Sequence, residues 1–261
     1  MGTMDAARLA LFAVAGLLFG SFLTVVVYRT PRGLSVVAPR SACPGCGQTV
    51  RARDNVPVLS YLMLGGKCRG CRSPISAEYP IVEALTAALF VGAALRFRSP
   101  WAAGLVAPFL GLMVAVAVID ARHRIIPNRV TYPGLLIASV VIVVAALAGG
   151  GMSIVGAALG MLAFGGSLLL VALIAPHGMG MGDVKLTALI GLVLGSLGLR
   201  YVAVAAIAGV LAGGLGGVAA LLLGRSRKDA IPFGPYLAGG AVVATFVAPQ
   251  VATWYTGLLG A

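Results

Sequence analysis

Charge is the scarcest commodity in this sequence. Of 261 residues only 10% are charged and just seven are acidic, against 60% hydrophobic residues and 37 glycines. An ordinary soluble domain is about half apolar and a quarter charged, so this balance excludes a conventional soluble fold. A small-residue cleavage site is also missing after the first apolar run. Tyr28-Arg29-Thr30-Pro31-Arg32 follows that run instead, which predicts a retained span rather than a removed leader. No convincing internal repeat is found, and transporters commonly carry repeats. The segment holding the cysteines has no glycine-rich nucleotide fingerprint.

What the sequence does have is long uncharged runs, suited to a hydrocarbon layer about 30 Å thick. Eight segments read as spans: 9–28, 80–95, 101–119, 130–148, 154–175, 184–198, 201–223 and 231–250. The expected fold is an all-α polytopic membrane protein of about eight transmembrane helices with a small polar insert. Its parts are a first transmembrane helix over 1–28, the insert over 29–79, and a seven-helix membrane domain over 80–261.

The net charge of +12 comes from 19 basic residues, and their placement explains it without nucleic acid. With the N-terminus outside, the inner loops hold Arg29, Arg32, Arg40, Arg51, Arg53, Lys67, Arg69 and Arg72, then Arg122, Arg124 and Arg129, then Lys185, then Arg225, Arg227 and Lys228. Only Arg8, Arg96, Arg98 and Arg200 fall outside. Basic residues concentrate on the cytoplasmic side, so both termini are expected outside and the insert in the cytoplasm.

The insert contains all four cysteines, as Cys43-Pro-Gly-Cys46 and Cys68-Arg-Gly-Cys71. Two C-x2-C pairs suit a tetrahedral zinc site, each pair forming a tight knuckle that aims two thiolates at one ion. Gly45, Gly47 and Gly70 would give the knuckles backbone freedom. Two disulfides or four free thiols are the competing reading, disfavoured by a cytoplasmic position. A closed tetracysteine site has no open coordination position and is structural. Metal binding would also stabilise an insert too small to rely on an apolar core.

Most of the acidic residues are readily placed. Asp5 lies in the N-terminal tail, Asp54 in the insert, Glu78 and Glu83 at the start of the second span, and Asp229 in a basic loop. Asp120 ends the third span and Asp183 opens the sixth, and the topology brings both to the same membrane edge. Ionisable groups there are costly and usually functional. Two close carboxylates share one proton, and such a pair can hydrolyse peptides: one takes a proton from water while the other polarises the carbonyl. The alternatives are interfacial ion pairs of Asp120 with Arg122 or Arg124, and of Asp183 with Lys185. A proton relay in an ion-coupled transporter and a zinc-bearing scaffold also stay open on spacing alone.

Taken together, the motifs resemble the type IV prepilin peptidase family. Those carrying the likeness are Gly20-Ser-Phe-Leu-Thr-Val-Val-Val-Tyr-Arg29, the two cysteine pairs, Asp54-Asn-Val-Pro-Val-Leu-Ser-Tyr-Leu62, Pro74-Ile-Ser-Ala-Glu-Tyr-Pro-Ile-Val-Glu83, Asp120-Ala-Arg-His-Arg-Ile-Ile-Pro-Asn128, Gly178-Met-Gly-Met-Gly-Asp183-Val-Lys185 and Ile231-Pro-Phe-Gly-Pro235. Thr24 stands where the family usually has Asn, Asp54 where many relatives have Glu, and Gly65 where a basic residue is common.

The resemblance implies an aspartic endopeptidase in the bacterial inner membrane, with Asp120 and Asp183 catalytic. It would cleave the basic leader of prepilins or pseudopilins of type IV pili and type II secretion, at the cytoplasmic face. It also implies methylation of the new N-terminus with S-adenosylmethionine, for which Asp54, Asn55 and Gly66 are the candidate region. Zinc on Cys43, Cys46, Cys68 and Cys71 is the expected metal.

Supporting roles near the dyad are expected for Gly180, Gly182, Lys185, Pro127, Asn128, Pro232, Phe233 and Gly234. The glycines would allow close backbone approach, Pro127 and Asn128 would shape the entry to the fourth span, and Pro232 would occupy the first turn of the last helix. Lys185 would hold the dyad's electrostatics or snorkel to the interface. The two histidines, His123 and His177, would tune the dyad or simply be solvated.

Overall fold

A computed structural model describes residues 3–175, 179–223 and 232–258. His177, Gly178 and Ile231, and the loop charges Arg225, Arg227, Lys228 and Asp229, lie outside the described residues. The helices are α1 (Thr3–Arg29), α2 (Leu59–Met63), α3 (Glu78–Arg96), α4 (Pro100–His123), α5 (Asn128–Leu147), α6 (Ile154–Gly160), α7 (Ser167–Ile174), α8 (Met181–Leu197), α9 (Leu199–Leu222) and α10 (Gly234–Leu258). A π-helical segment, Met161–Gly166, joins α6 to α7, making one span of 21 residues. Among the described residues there is no extended sheet, only two isolated bridges in the insert.

Among the described residues, seven helices are long and apolar enough to cross a membrane: α1, α3, α4, α5, the α6–α7 span, α9 and α10. The eighth expected span is α8, which at 17 residues reaches roughly 25 Å at about 1.5 Å per residue. It lies deep inside the bundle, with Leu186, Leu189, Ile190, Val193 and Leu194 fully buried. The neighbouring α4 is equally central, with Leu110, Met113, Val116 and Ile119 fully buried. Peripheral helices instead present large exposed apolar side chains, among them Leu136, Ile137, Leu170, Leu173 and Leu215. Such surface is a liability in water and normal against lipid tails.

Glycine explains how the helices meet. Without a hydrophobic driving force inside lipid, helices associate by close packing of small residues. On α1, a Cβ at Gly16 would sit 2.6 Å from the Ala87 Cα and one at Gly20 would sit 2.8 Å from the Glu83 Cα, so this Gly-x3-Gly pair seats α1 on α3. Gly156 and Gly160 of α6 face Gly195 and Gly191 of α8, backbone to backbone. The next glycine along that seam to meet α8 is Gly165, whose added Cβ would lie 2.8 Å from the Ala188 Cα. It comes five residues on rather than three or four, because the π turn has intervened.

Several boundaries differ from the sequence reading. Helix α1 starts at Thr3 and takes Asp5 into its first turn, where a carboxylate complements the positive helix end. Helix α3 begins at Glu78, so Glu78 and Glu83 are helical rather than flanking. Helix α8 begins at Met181 and takes Asp183 into its first turn. Pro232 is not in the first turn of the last helix. Phe233 accepts the first helical bonds, from Tyr236 and Leu237, and Pro235 takes the early position where a missing N–H costs little.

Candidate active site

Asp120 lies in the last turn of α4, a 24-residue helix that ends at Arg124 in the left-handed conformation. Its side chain is 5% exposed. The backbone N–H of Gly234, first residue of α10, donates to its Oδ2 at 2.8 Å. Room for that contact requires glycine, since a Cβ at residue 234 would fall 2.8 Å from the same oxygen. Asp183 is half-buried in the first turn of α8. Its helix packs against α4, which carries Asp120.

Two of the basic neighbours in sequence, Arg122 and Lys185, are engaged elsewhere. Arg122 forms an ion pair with Glu78 at the start of α3. Lys185 donates to Asn128 Oδ1 at 2.9 Å, with its ammonium 5.0 Å from the centre of the Tyr132 ring. Asn128 opens α5 directly after Pro127, whose extended backbone sets the turn. So Lys185, Pro127 and Asn128 fasten α8 to α5 beside the carboxylates instead of neutralising them. Among the described residues, neither Asp120 nor Asp183 has a cationic partner within salt-bridge distance.

The remaining expected supports have definite places. Gly180 caps α8, and Asp183 N–H donates to its carbonyl at 3.0 Å. Gly182 lets α8 approach the segment before α5, an added Cβ lying 2.9 Å from Ile126 Cβ. Phe233 lays its ring on Gly213 of α9, and Pro232 precedes it, half-buried. His123 is exposed at the end of α4.

The insert carries a second centre. The Sγ atoms of Cys43, Cys46, Cys68 and Cys71 all lie within 4.8 Å of one another, and Cys43 and Cys71 are 3.7 Å apart. Four thiolates around zinc, with bonds of about 2.3 Å, would stand about 3.8 Å apart, so the cluster fits a tetrahedral metal. The two knuckles repeat one backbone pattern. Cys43 N–H bonds Gln48 and Gly47 N–H bonds Cys43; equivalently Cys68 N–H bonds Ser73 and Arg72 N–H bonds Cys68. Each is closed by a bridge, Ala42 with Thr49 and Lys67 with Pro74. Of the expected flexible glycines only Gly47 needs positive φ, at 71°. Its counterpart is Arg72, at 61°. Gly45 and Gly70 provide close approach instead, to Ser73 and Gln48.

Between the insert and the membrane ends of α1 and α3 is a cavity of about 1070 Å³. Asp54 and Asn55 line it, whereas Gly66 does not. Gly66 holds the turn after α2, at φ 65°, accepting the Ile75 N–H at 2.7 Å. Asp54 is grasped bidentately by Arg69, with contacts of 2.7 to 3.1 Å. That hydrogen-bonded guanidinium holds the Asp54 carboxyl below the usual carboxylate range. The volume is at the upper end of the roughly 300–1,000 Å³ of small-molecule sites. Tyr28, Tyr61 and Tyr79 at its wall suit a cationic group.

Sequence reasoning passed over one residue here. Glu83 reads as a helix-flanking acid, yet it is 7% exposed and opens onto this cavity. Its Oε2 accepts the Val58 N–H at 2.8 Å. The only available signal was its position inside the apolar span read over 80–95.

Comparison with known proteins covers most of the chain. Residues 14–97 match the bacterial peptidase A24 N-terminal domain, and residues 107–221 match the type IV leader peptidase family. The chain is 36% identical to a prepilin leader peptidase/N-methyltransferase of Bacillus subtilis, over 95% of this chain and 97% of that one. Like-named proteins of Burkholderia pseudomallei and Pseudomonas aeruginosa are 36% and 34% identical, covering 92% and 94% of this chain and 85% and 92% of theirs. No solved structure matches.

Proposed function

The chain belongs to the type IV leader peptidase family, and from that premise we propose how its two centres divide the work. The protein is a multi-pass membrane enzyme that cleaves the leader peptide of prepilins and methylates the new N-terminus. Its peptidase residues are Asp120 and Asp183, acting at the cytoplasmic face of the bacterial inner membrane. Both termini lie outside. The 29–79 insert projects into the cytoplasm between the first span and the seven-helix peptidase domain. The substrates are type IV prepilins or pseudopilins with a basic leader.

The observation that carries the peptidase reading is a buried Asp120 held by a backbone N–H rather than by a cation. An ordinary interfacial ion pair would have recruited Arg122, Arg124 or Lys185; Arg122 and Lys185 have other partners, and among the described residues Arg124 pairs with neither carboxylate. Because Gly234 occupies Oδ2, a proton carried by Asp120 sits on Oδ1. In the hydrolytic step one carboxylate takes a proton from water as its oxygen attacks the scissile carbonyl. The other gives its proton to the carbonyl oxygen. Collapse of the tetrahedral species breaks the C–N bond: the departing amine takes up the proton first removed from water, and one hydroxyl of the tetrahedral carbon returns its proton to the carboxylate that had given it. Asp183, at a helix N-terminus, faces fixed N–H dipoles that favour negative charge developing nearby.

The zinc reading rests on the four clustered thiols: Cys43, Cys46, Cys68 and Cys71 would hold one structural Zn²⁺, which ties the two knuckles together. S-adenosylmethionine would be accommodated in the cavity beneath the insert, near Asp54 and Asn55, and supplies an electrophilic methyl group when bound.

The test is cleavage of a prepilin-like substrate by purified protein beside Asp120→Asn and Asp183→Asn, with product masses read out. Each variant is expected to lose cleavage by at least about 1000-fold, as removal of one member of a catalytic unit does, with its zinc content intact. Variants that cut like the wild type would overturn the dyad assignment.

A further inference from the structure

We propose that Glu83 is the residue that receives the α-ammonium group of the processed substrate in the cavity beneath the insert and takes its proton before methyl transfer. The inference rests on the methyl-transfer reading above and adds a residue to it.

Two carboxylates line the cavity, Asp54 and Glu83. Asp54 is spent on Arg69, a bidentate pair that neutralises it and fixes the second knuckle to the segment before α2. The hydrogen bond of Glu83 is to a neutral donor, the Val58 N–H, and it takes part in neither ion pair found among the described residues. One carboxylate oxygen is thereby fixed, at a residue that is only 7% exposed. A buried carboxylate with only a neutral partner is best completed by a cationic group that the substrate brings.

The frame around Glu83 is built at some cost. Val58 stands at φ 60°, a conformation that β-branched residues rarely adopt, and it is this residue's N–H that points at the carboxylate. Strain of this kind persists where the surroundings over-determine it, commonly at functional sites. On the other side, Gly20 brings α1 to within contact of the Glu83 backbone, so the side chain is left the cavity as its direction of approach. Of the basic residues at the wall, Arg69 is paired with Asp54 and Arg29 donates to the carbonyls of Ser35 and Pro39. Arg51 is exposed.

Cleavage creates an N-terminal amine that is mostly protonated near neutral pH, since an α-amino group titrates at about 7.7–8.0. An ammonium has no lone pair and cannot be methylated. With Glu83 as acceptor, one N–H proton moves to the carboxylate and the freed lone pair forms the N–C bond. The sulfonium donor's carbon–sulfur bond breaks, leaving its electron pair on sulfur. Glu83 then returns its proton to water. The Glu78–Arg122 ion pair links the start of α3 to the last turn of α4, so this carboxylate stands on the same side of the bundle as Asp120.

Glu83→Gln tests this cleanly, because its amide oxygen can still accept the Val58 N–H while the charge is gone. Full-length protein in detergent is titrated calorimetrically, without methyl donor, with a peptide matching the processed N-terminus in free-amine and N-acetylated forms. Wild type should prefer the free amine by on the order of 10- to 100-fold, the worth of a charged hydrogen bond. Glu83→Gln should erase that preference, and Glu83→Asp should restore part of it. With S-adenosylmethionine added, methyl incorporation by Glu83→Gln should fall by about 100-fold, as for loss of a general base. A Glu83→Gln protein that keeps the preference, or methylates at the wild-type rate, would overturn the proposal. So would equal failure of Gln and Asp variants, which marks a structural role. A wild type that prefers the free amine yet never transfers methyl would sink the methyl-transfer reading while the ammonium site stands.

Discussion

Gly234 N–H and Asp120 Oδ2 meet at 2.8 Å across 114 positions of sequence, joining the start of the last helix to the end of α4. The contact ties the position of one carboxylate oxygen to the entry of α10 into the bundle. Gly234→Ala therefore strikes the site without touching an ionisable group. Its Cβ would lie 2.8 Å from Oδ2 and 3.1 Å from the Asp120 Cγ, so the carboxylate must move or the hydrogen bond must break. Cleavage is expected to fall by on the order of 100-fold, the scale of a misplacement near 1 Å, with zinc content unchanged. Steady-state cleavage assays on the purified variant measure this directly; a wild-type rate would show that the contact does not orient the dyad.

The cysteine cluster makes a prediction that is separable from catalysis. Cys46→Ser and Cys71→Ser should each lower bound zinc from about one ion per chain toward zero, because a three-thiolate site loses the closed tetrahedron. Elemental analysis gives the stoichiometry. Limited proteolysis should then cut preferentially within residues 40–75, since the two bridges alone are too little to hold the insert folded. An insert equally resistant with and without metal would contradict a structural role.

The seam between α6 and α8 should tolerate no side chain. Gly191→Ala would drive a methyl group into the Gly160 carbonyl, and the opposite Gly160→Ala would meet the Gly195 Cα at 2.9 Å. Overpacking of this kind costs about 1–3 kcal/mol, here at backbone rather than at a yielding side chain. Thermal unfolding in detergent should drop for either variant, and the double variant should be worse than each. Ala at Gly214, which has open space around it, is the matched control and should leave the transition where it is.

Much of this arrangement can be read from residue order alone, and for identifiable reasons. Spans declare themselves because lipid demands apolar runs of a set length, and the paired cysteines declare a metal because two thiolates at C-x2-C spacing aim at one point. Asp120 and Asp183 stand out because so few acids compete with them. Glu83 escaped notice for the opposite reason: an acid at a span boundary looks solvated until the packing of α1 and the fold of the insert close over it. The roles of Lys185 and Asn128 depend on α5 and α8 lying side by side, a tertiary fact. Pro232 was misplaced by one turn because Pro235 competes for the same early-helix preference. The equivalence of Gly47 with Arg72 was hidden because residue type differs while backbone shape repeats.

The π turn at Met161–Gly166 also says something about how this chain can change length. In a packed α-helix, one added residue rotates everything after it by about 100° and turns a buried face outward. Here six residues take up the extra one, and the glycine seam resumes at Gly165 with its register against α8 intact. A π turn takes up one extra residue while the α-helix on either side continues. Removal of one residue from 161–166 should therefore return the span 154–174 to unbroken α geometry with its glycine contacts on both sides still in place.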